Sequence, residues 1–163
     1  MNNVYSDIIF TEGPQVAGIC SFIMAAREWS ATPVNIDFLS NKVITPVTLD
    51  EGYSWINVNC VYETMELKED EKAGRLGRVY TSDLSGIINT DNALMLQQLE
   101  TYRWHEWIVI YTDRKKQKRI IGNTDNGMKI FSILKQKPAA GGSSVYEVSL
   151  SFESAIRAPF YVI

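Results

Sequence analysis

"WIVIYTDRKKQKRIIGNTDNG", residues 107–127, sets the architecture. In an extended chain Trp107, Val109 and Tyr111 point one way and Ile108 and Ile110 the other, so both faces of this strand are apolar. Such a strand belongs inside, covered by a helix on one side and a second sheet on the other. Asp113 to Gln117 then makes a turn, "RII" returns, "NTDNG" turns again and "MKIFSIL" pairs onward, which is the pattern of an antiparallel meander. Arg114, Lys115, Lys116, Lys118 and Arg119 crowd the first turn. They cannot follow the strand inward, because each buried charge would cost several kcal/mol of desolvation. The turn is therefore expected to be a hairpin tip in water.

Working outward, the segment before this strand reads as the one convincing helix, around residues 91–104. Asn89, Thr90 and Asp91 offer N-caps, Met95, Leu96, Leu99 and Tyr102 recur at helical spacing, and Gln97, Gln98 and Glu100 face out. Most of the rest reads as strands. Ile56, Val58, Cys60 and Tyr62 share one side of an extended segment. "VYEVSLSF" places Tyr146, Val148, Leu150 and Phe152 inward and Glu147, Ser149 and Ser151 outward, as in a half-exposed strand. "ELKEDEKAGRLGR", residues 66–78, reads as an exposed charged loop or hairpin end. The closing "APFYVI" is too apolar for a free tail, so Phe160 and Tyr161 are expected to dock on the body or on a neighbour. The expectation is a single mainly β domain over residues 1–163: an antiparallel β-sandwich or barrel with one flanking α-helix.

Composition agrees with a folded domain: 45% of the 163 residues are hydrophobic and 21% charged. A net charge of −3 gives no long-range attraction toward nucleic acid or an anionic membrane, so any such contact must come from the local cationic cluster. Cys20 and Cys60, with no CxxC motif and a single histidine, read as buried or indifferent thiols. The apolar run Val16–Ala26 is too short to span a bilayer, and Asp7 and Glu12 before it, with no Lys or Arg, are the wrong flank for a signal peptide. No membrane association is expected.

Catalytic chemistry finds no foothold. His105 is the only histidine and sits at a helix end, where capping explains it. There is no Gly-x-Ser-x-Gly elbow, phosphate-binding loop or Gly-x-Gly-x-x-Gly fingerprint. Asn123, Asp125 and Gly127 imitate the start of a calcium loop, but the glycine comes one position early and Leu134 stands where a bidentate glutamate belongs. The carboxylates of residues 63–71 lie among lysines, without the apolar surroundings that raise a catalytic acid's pKa. The expectation is no catalytic, cofactor or metal residue. For the cationic tip, a solvated end comes first, an acidic protein surface second and nucleic acid last, since no aromatic residues interleave to stack on bases.

"GYSWINVNCVYETMELKEDEK", "VYTSDLSGII", "LMLQQLETYR", "WIVIYTDRKKQKRIIGNTDNGMKIF" and "VYEVSLSFES…APFY", in that order, resemble small structural proteins of phages and prophages of gut Bacteroidota, including crAss-like phages. Asp113, Arg119, Gly122, Pro159, Phe160 and Tyr161 carry the likeness, over roughly residues 43–163. The chain departs from the pattern with Arg-Lys-Lys-Gln where an Asn-Gly type turn is expected. The resemblance implies a β-sandwich with one flanking helix, similar to tail-tube, tail-terminator and ring proteins. It further implies a non-enzymatic virion protein of the neck or tail, assembled in the bacterial host cytoplasm. Its partners would be its own copies in a six-fold or twelve-fold ring and other neck or tail proteins, with DNA only as lumen content. Arg114, Lys115, Lys116, Lys118, Phe160 and Tyr161 are the candidate subunit interface. A small intracellular binding or regulatory module, and a β-barrel enzyme whose site is assembled from scattered residues, are the alternatives.

Overall fold

A computed structural model describes residues 21–61, 64–75, 77–89, 92–113, 116–136 and 144–162. The strands are β1 (Ser21–Ala26), β2 (Ile36–Asp37), β3 (Lys42–Val43), β4 (Ile56–Asn59), β5 (Glu66–Gly74), β6 (Gly77–Ile88), β7 (Glu106–Thr112), β8 (Lys118–Ile121), β9 (Met128–Gln136) and β10 (Ser144–Ser154). An α-helix, α1 (Ala93–Tyr102), precedes β7, and a 3-10 turn, Arg27–Trp29, follows β1. The main sheet runs β4-β1-β7-β9-β10-β6-β5 with β8 also on β7, and every pairing in it is antiparallel. β2 and β3 form a small second sheet. Among the described residues the fold is mainly β with a single helix, as expected. Among the described residues β4 and β5 end the sheet without meeting, so it does not close into a barrel.

β7 is buried on both faces, for the reason its composition gave. On one face Trp107, Val109 and Tyr111 join Phe22 and Met24 of β1, Leu84 and Ile88 of β6, Val148 and Leu150 of β10, and Met95, Leu99 and Tyr102 of α1. Side chains from distant parts of one sheet thus share a single core, so the sheet curls over itself with the helix as an added cover. On the other face Ile108, Ile110 and Ile120 pack with Val43 and Val47 beside the small sheet.

β8 and β9 occupy one track along β7, with β8 opposite Val109–Thr112 and β9 opposite Glu106 and Trp107. The turn between them explains its own sequence. A Cβ on Gly122 would lie 2.8 Å from the Trp107 carbonyl oxygen, and one on Gly127 would lie 2.6 Å from the Trp107 nitrogen. Only glycine fits where the loop leaves and rejoins the strand. Between them the Asn123 side chain accepts from the N–H groups of Asp125 and Asn126 at 2.9 and 2.7 Å. Arg27 clamps the turn from outside, donating to the Asp125 carbonyl at 2.8 Å while its Nε pairs with Glu106 at 2.9 Å.

Three expectations are corrected. Of the loop or hairpin end expected at residues 66–78, the hairpin stands and the loop does not: residues 66–74 pair residue for residue with residues 77–85 as a long ribbon. Charge on both sides of the segment hid its period of two; ladder hydrogen bonds and cross-links hold it, with Arg78 on Glu71 at 3.0 Å and Arg157 on the same carboxylate at 3.2 Å. The helix buries Met95, Gln98, Leu99 and Tyr102, and leaves Leu96 exposed. That stripe, at i, i+3, i+4 and i+7, keeps the 3.6-residue period and takes Gln98 inward. Its N-cap is Asn92, whose side chain accepts from the Met95 N–H at 2.8 Å; Thr90 and Asp91 lie outside the described residues. Cys60 is buried, and burial pushes its thiol up to about 12. Cys20 and Tyr62 also lie outside the described residues.

Candidate functional site

The chain's end is a seam between the two sheets. Phe160 lies between β3 and β8: its N–H donates to the Asn41 carbonyl and its carbonyl accepts from Val43, each at 2.9 Å. On the other side the Ile120 N–H donates to Pro159 at 3.1 Å and the Tyr161 N–H to Lys118 at 2.8 Å. The Tyr161 hydroxyl accepts from the Val47 N–H at 3.2 Å. The apolar ending is therefore docked on the body by hydrogen bonds on both sides.

This seam brings the sequence-predicted residues together. Lys116, Lys118, Phe160 and Tyr161 line one shallow surface groove of about 510 Å³, joined by Lys42, Gln117 and Val162. Arg114 and Lys115 lie outside the described residues. Lys42 and Val162 were missed because nothing local marks them: Lys42 arrives through the pairing of β3 with the seam, a contact of long sequence separation. Val162 is 67% exposed at the groove's rim.

The tip forms without an Asn-Gly turn because Asp113 substitutes for it. Its carboxylate accepts from the Gln117 N–H at 2.9 Å, its N–H donates to the Gln117 carbonyl at 2.9 Å, and its carbonyl accepts from the Lys116 N–H at 3.0 Å. Lys116 takes the left-handed position, φ 61°, a conformation unfavourable for a side chain with a Cβ. Arg119 does not share the wet tip. Its guanidinium lies 4.1 Å from the Phe160 ring centroid and reaches the Ala158 carbonyl at 3.4 Å, so this cation braces the seam. Beneath it burial raises the Tyr111 phenol to about 12, with Arg119 pulling the other way.

The groove offers ammonium groups beside an apolar shelf, which suits an acidic surface with an apolar centre. His105 lies elsewhere, in contact with the Glu28 carboxylate and edge-on to Trp107 at 5.7 Å between ring centroids. Among the described residues no three His, Cys, Asp or Glu side chains gather to hold a metal ion. No described helix is long and apolar enough to cross a membrane. Neither a family model, nor a curated protein, nor a solved structure matches the chain.

Proposed function

We propose that the protein is a non-enzymatic structural component that assembles as a ring in the neck or tail of a Bacteroidota phage or prophage virion. The observation that carries this reading is the seam groove, where Lys42, Lys116 and Lys118 stand around Phe160, Tyr161 and the exposed Val162. Surface of this kind favours contact with an acidic neighbour, and a repeated head-to-tail contact closes a ring. The sequence resemblance supplies the virion setting, with assembly in the host cytoplasm and neck or tail proteins above and below. Native mass spectrometry and cryo-microscopy of the purified protein and of particles test it, with a closed six-fold or twelve-fold ring expected. Replacing Lys42, Lys116 and Lys118 by Gln should leave the melting temperature unchanged and weaken assembly, more so as salt is raised. A chain that stays monomeric at all concentrations, or is missing from purified particles, would overturn the reading.

A further inference from the structure

The seam groove has a counterpart of opposite sign at the other end of β7. Lys118 stands across from Thr112, where β7 finishes, and Lys116 lies in the turn beyond it. Ala26 stands across from Trp107, where β7 begins, and runs straight into the turn Arg27–Trp29. From Trp107 to Thr112 the strand rises about 17 Å at about 3.3 Å per residue. The groove and the Arg27–Trp29 turn therefore sit at opposite ends of one rigid, buried strand.

An acidic face is built on that turn. Glu28 is exposed, and the carbonyl of Trp29 after it accepts from the Asp50 N–H at 2.8 Å. Asp50 and Glu51 are exposed as well. Gly52 takes φ 90°, the left-handed position that a tight turn needs here, and the Tyr53 N–H donates back to the Asp50 carbonyl at 3.2 Å. The Tyr53 ring stacks on the buried Trp29 at 4.9 Å between centroids and 15° between planes, and stays 49% exposed. The result is an aromatic ring flanked by carboxylates, fixed before any partner arrives.

The two faces match in sign and in shape of chemistry. Ion pairs among the described residues engage the carboxylates of Glu69, Asp70, Glu71, Glu100 and Glu106, and Glu28 meets His105; Asp50 and Glu51 stand outside them. In the groove, Asp37 across from Lys42 is occupied with the Leu39 N–H and the Ser40 hydroxyl, and Asp113 closes its own turn. Three carboxylates around Tyr53 thus answer three ammonium groups around Phe160, Tyr161 and Val162. β5 is the other acid-rich surface, but its carboxylates alternate with Lys68 and Lys72 and are held by Arg78 and Arg157, so it offers the groove far less unanswered charge.

We infer that the turn at residues 50–53, with Glu28, of one copy seats on the seam groove of the next. Faces at opposite ends of one strand make a head-to-tail joint that repeats in one direction, which a ring requires. This deepens the ring reading and rests on it for the groove as a joint. The charges set register and salt dependence, and the Tyr53 ring covers the apolar shelf.

The test reverses each face in the full-length chain. One variant carries Asp50→Lys and Glu51→Lys, the other Lys116→Glu and Lys118→Glu, and thermal unfolding and circular dichroism check that both fold. By native mass spectrometry each variant alone should be monomeric at concentrations where the parent assembles. An equimolar mixture should assemble again with the two variants in equal numbers, because each reversed face then meets its complement and the copies alternate. The milder pair Asp50→Asn and Glu51→Gln should weaken assembly by about 2- to 30-fold at low salt, with the difference fading at molar salt. If the folded Asp50→Lys, Glu51→Lys variant assembles like the parent while replacing Lys42, Lys116 and Lys118 by Gln abolishes assembly, the groove is a joint whose acidic neighbour is another surface, and this inference is wrong while the ring reading stands. A mixture that stays monomeric also overturns the pairing of these two faces. A parent that never self-associates removes both.

Discussion

The two charged hairpins, β7–β8 and β5–β6, use charge in opposite ways. β7–β8 has a stem without a charged residue from Trp107 to Tyr111, buried on both faces, and it concentrates cations of one sign at the tip. β5–β6 carries both signs along its stem, where the charges answer one another: Arg78 and Arg157 hold Glu71, and Lys68 meets Asp70 at 2.7 Å. Only Leu67 of β5 packs against the core. The first hairpin owes its place to desolvated apolar surface. The second is held by backbone pairing and screened ion pairs, which are worth about 0–1 kcal/mol each when exposed. Damage to the β7–β8 stem should therefore be severe, and comparable damage to the ribbon slight.

The largest expected effect is Trp107→Ala. The side chain is fully buried, meets Tyr102 edge-on at 5.1 Å and donates its indole N–H to the Tyr102 carbonyl at 3.0 Å. Removing it should cost about 3–5 kcal/mol, read as a fall in the denaturation midpoint; a loss below about 1 kcal/mol would break the comparison. Gly127→Ala comes next. The added Cβ would meet the Trp107 nitrogen at 2.6 Å and the Glu106 carbonyl carbon at 2.8 Å, both backbone. Strain of about 1–3 kcal/mol is expected, with β8 and β9 losing amide protection together.

pH sharpens the same contrast. Cys60 and Tyr111 have thiol and phenol raised by burial from 9.0 and 10.0 to about 12. Both are neutral when protonated, so the folded state binds more protons than the unfolded one between the unfolded and folded values. Their stabilising contribution is complete below about pH 9 and is lost as pH rises toward 12. Stability measured between those limits should fall, and Cys60→Ala should make the fall shallower. An unchanged slope would show that Cys60 is not buried as described.

How much was legible follows from where each signal lived. β7 was plain because both parities of its side chains are apolar, a signal carried by Trp107 to Tyr111 alone. The docking of "APFYVI" was legible from hydropathy; its partners were not, since Asn41, Val43 and Val47 lie over a hundred residues away along the chain. Lys42 joined the candidate groove by the same route. The ribbon was misread because Glu69 and Glu71 look solvated until Arg157, brought back by the return of β10, is placed against them. Arg119 looked like a member of the cationic tip for a similar reason: its partner Phe160 is invisible to local pattern.

That misreading frames the smallest effect. Arg157 bridges the ribbon to the seam: its guanidinium reaches Glu71 at 3.2 Å and Glu69 at 3.7 Å and lies 5.4 Å from the Tyr80 ring centroid, while Glu69 also accepts from the Ala158 N–H at 3.0 Å. The Arg157 side chain is 58% exposed, so water screens most of the attraction. Glu71→Gln keeps the shape and removes the charge shared by Arg78 and Arg157. It should lower stability by about 0.2–1 kcal/mol, and the deficit should vanish at molar salt. Glu69→Gln should do more, because this carboxylate is only 17% exposed and also holds a backbone N–H of the seam. If Glu71→Gln instead matched Trp107→Ala in severity, the ribbon would be as much a part of the core as β7, and the division of labour between the two hairpins would be wrong.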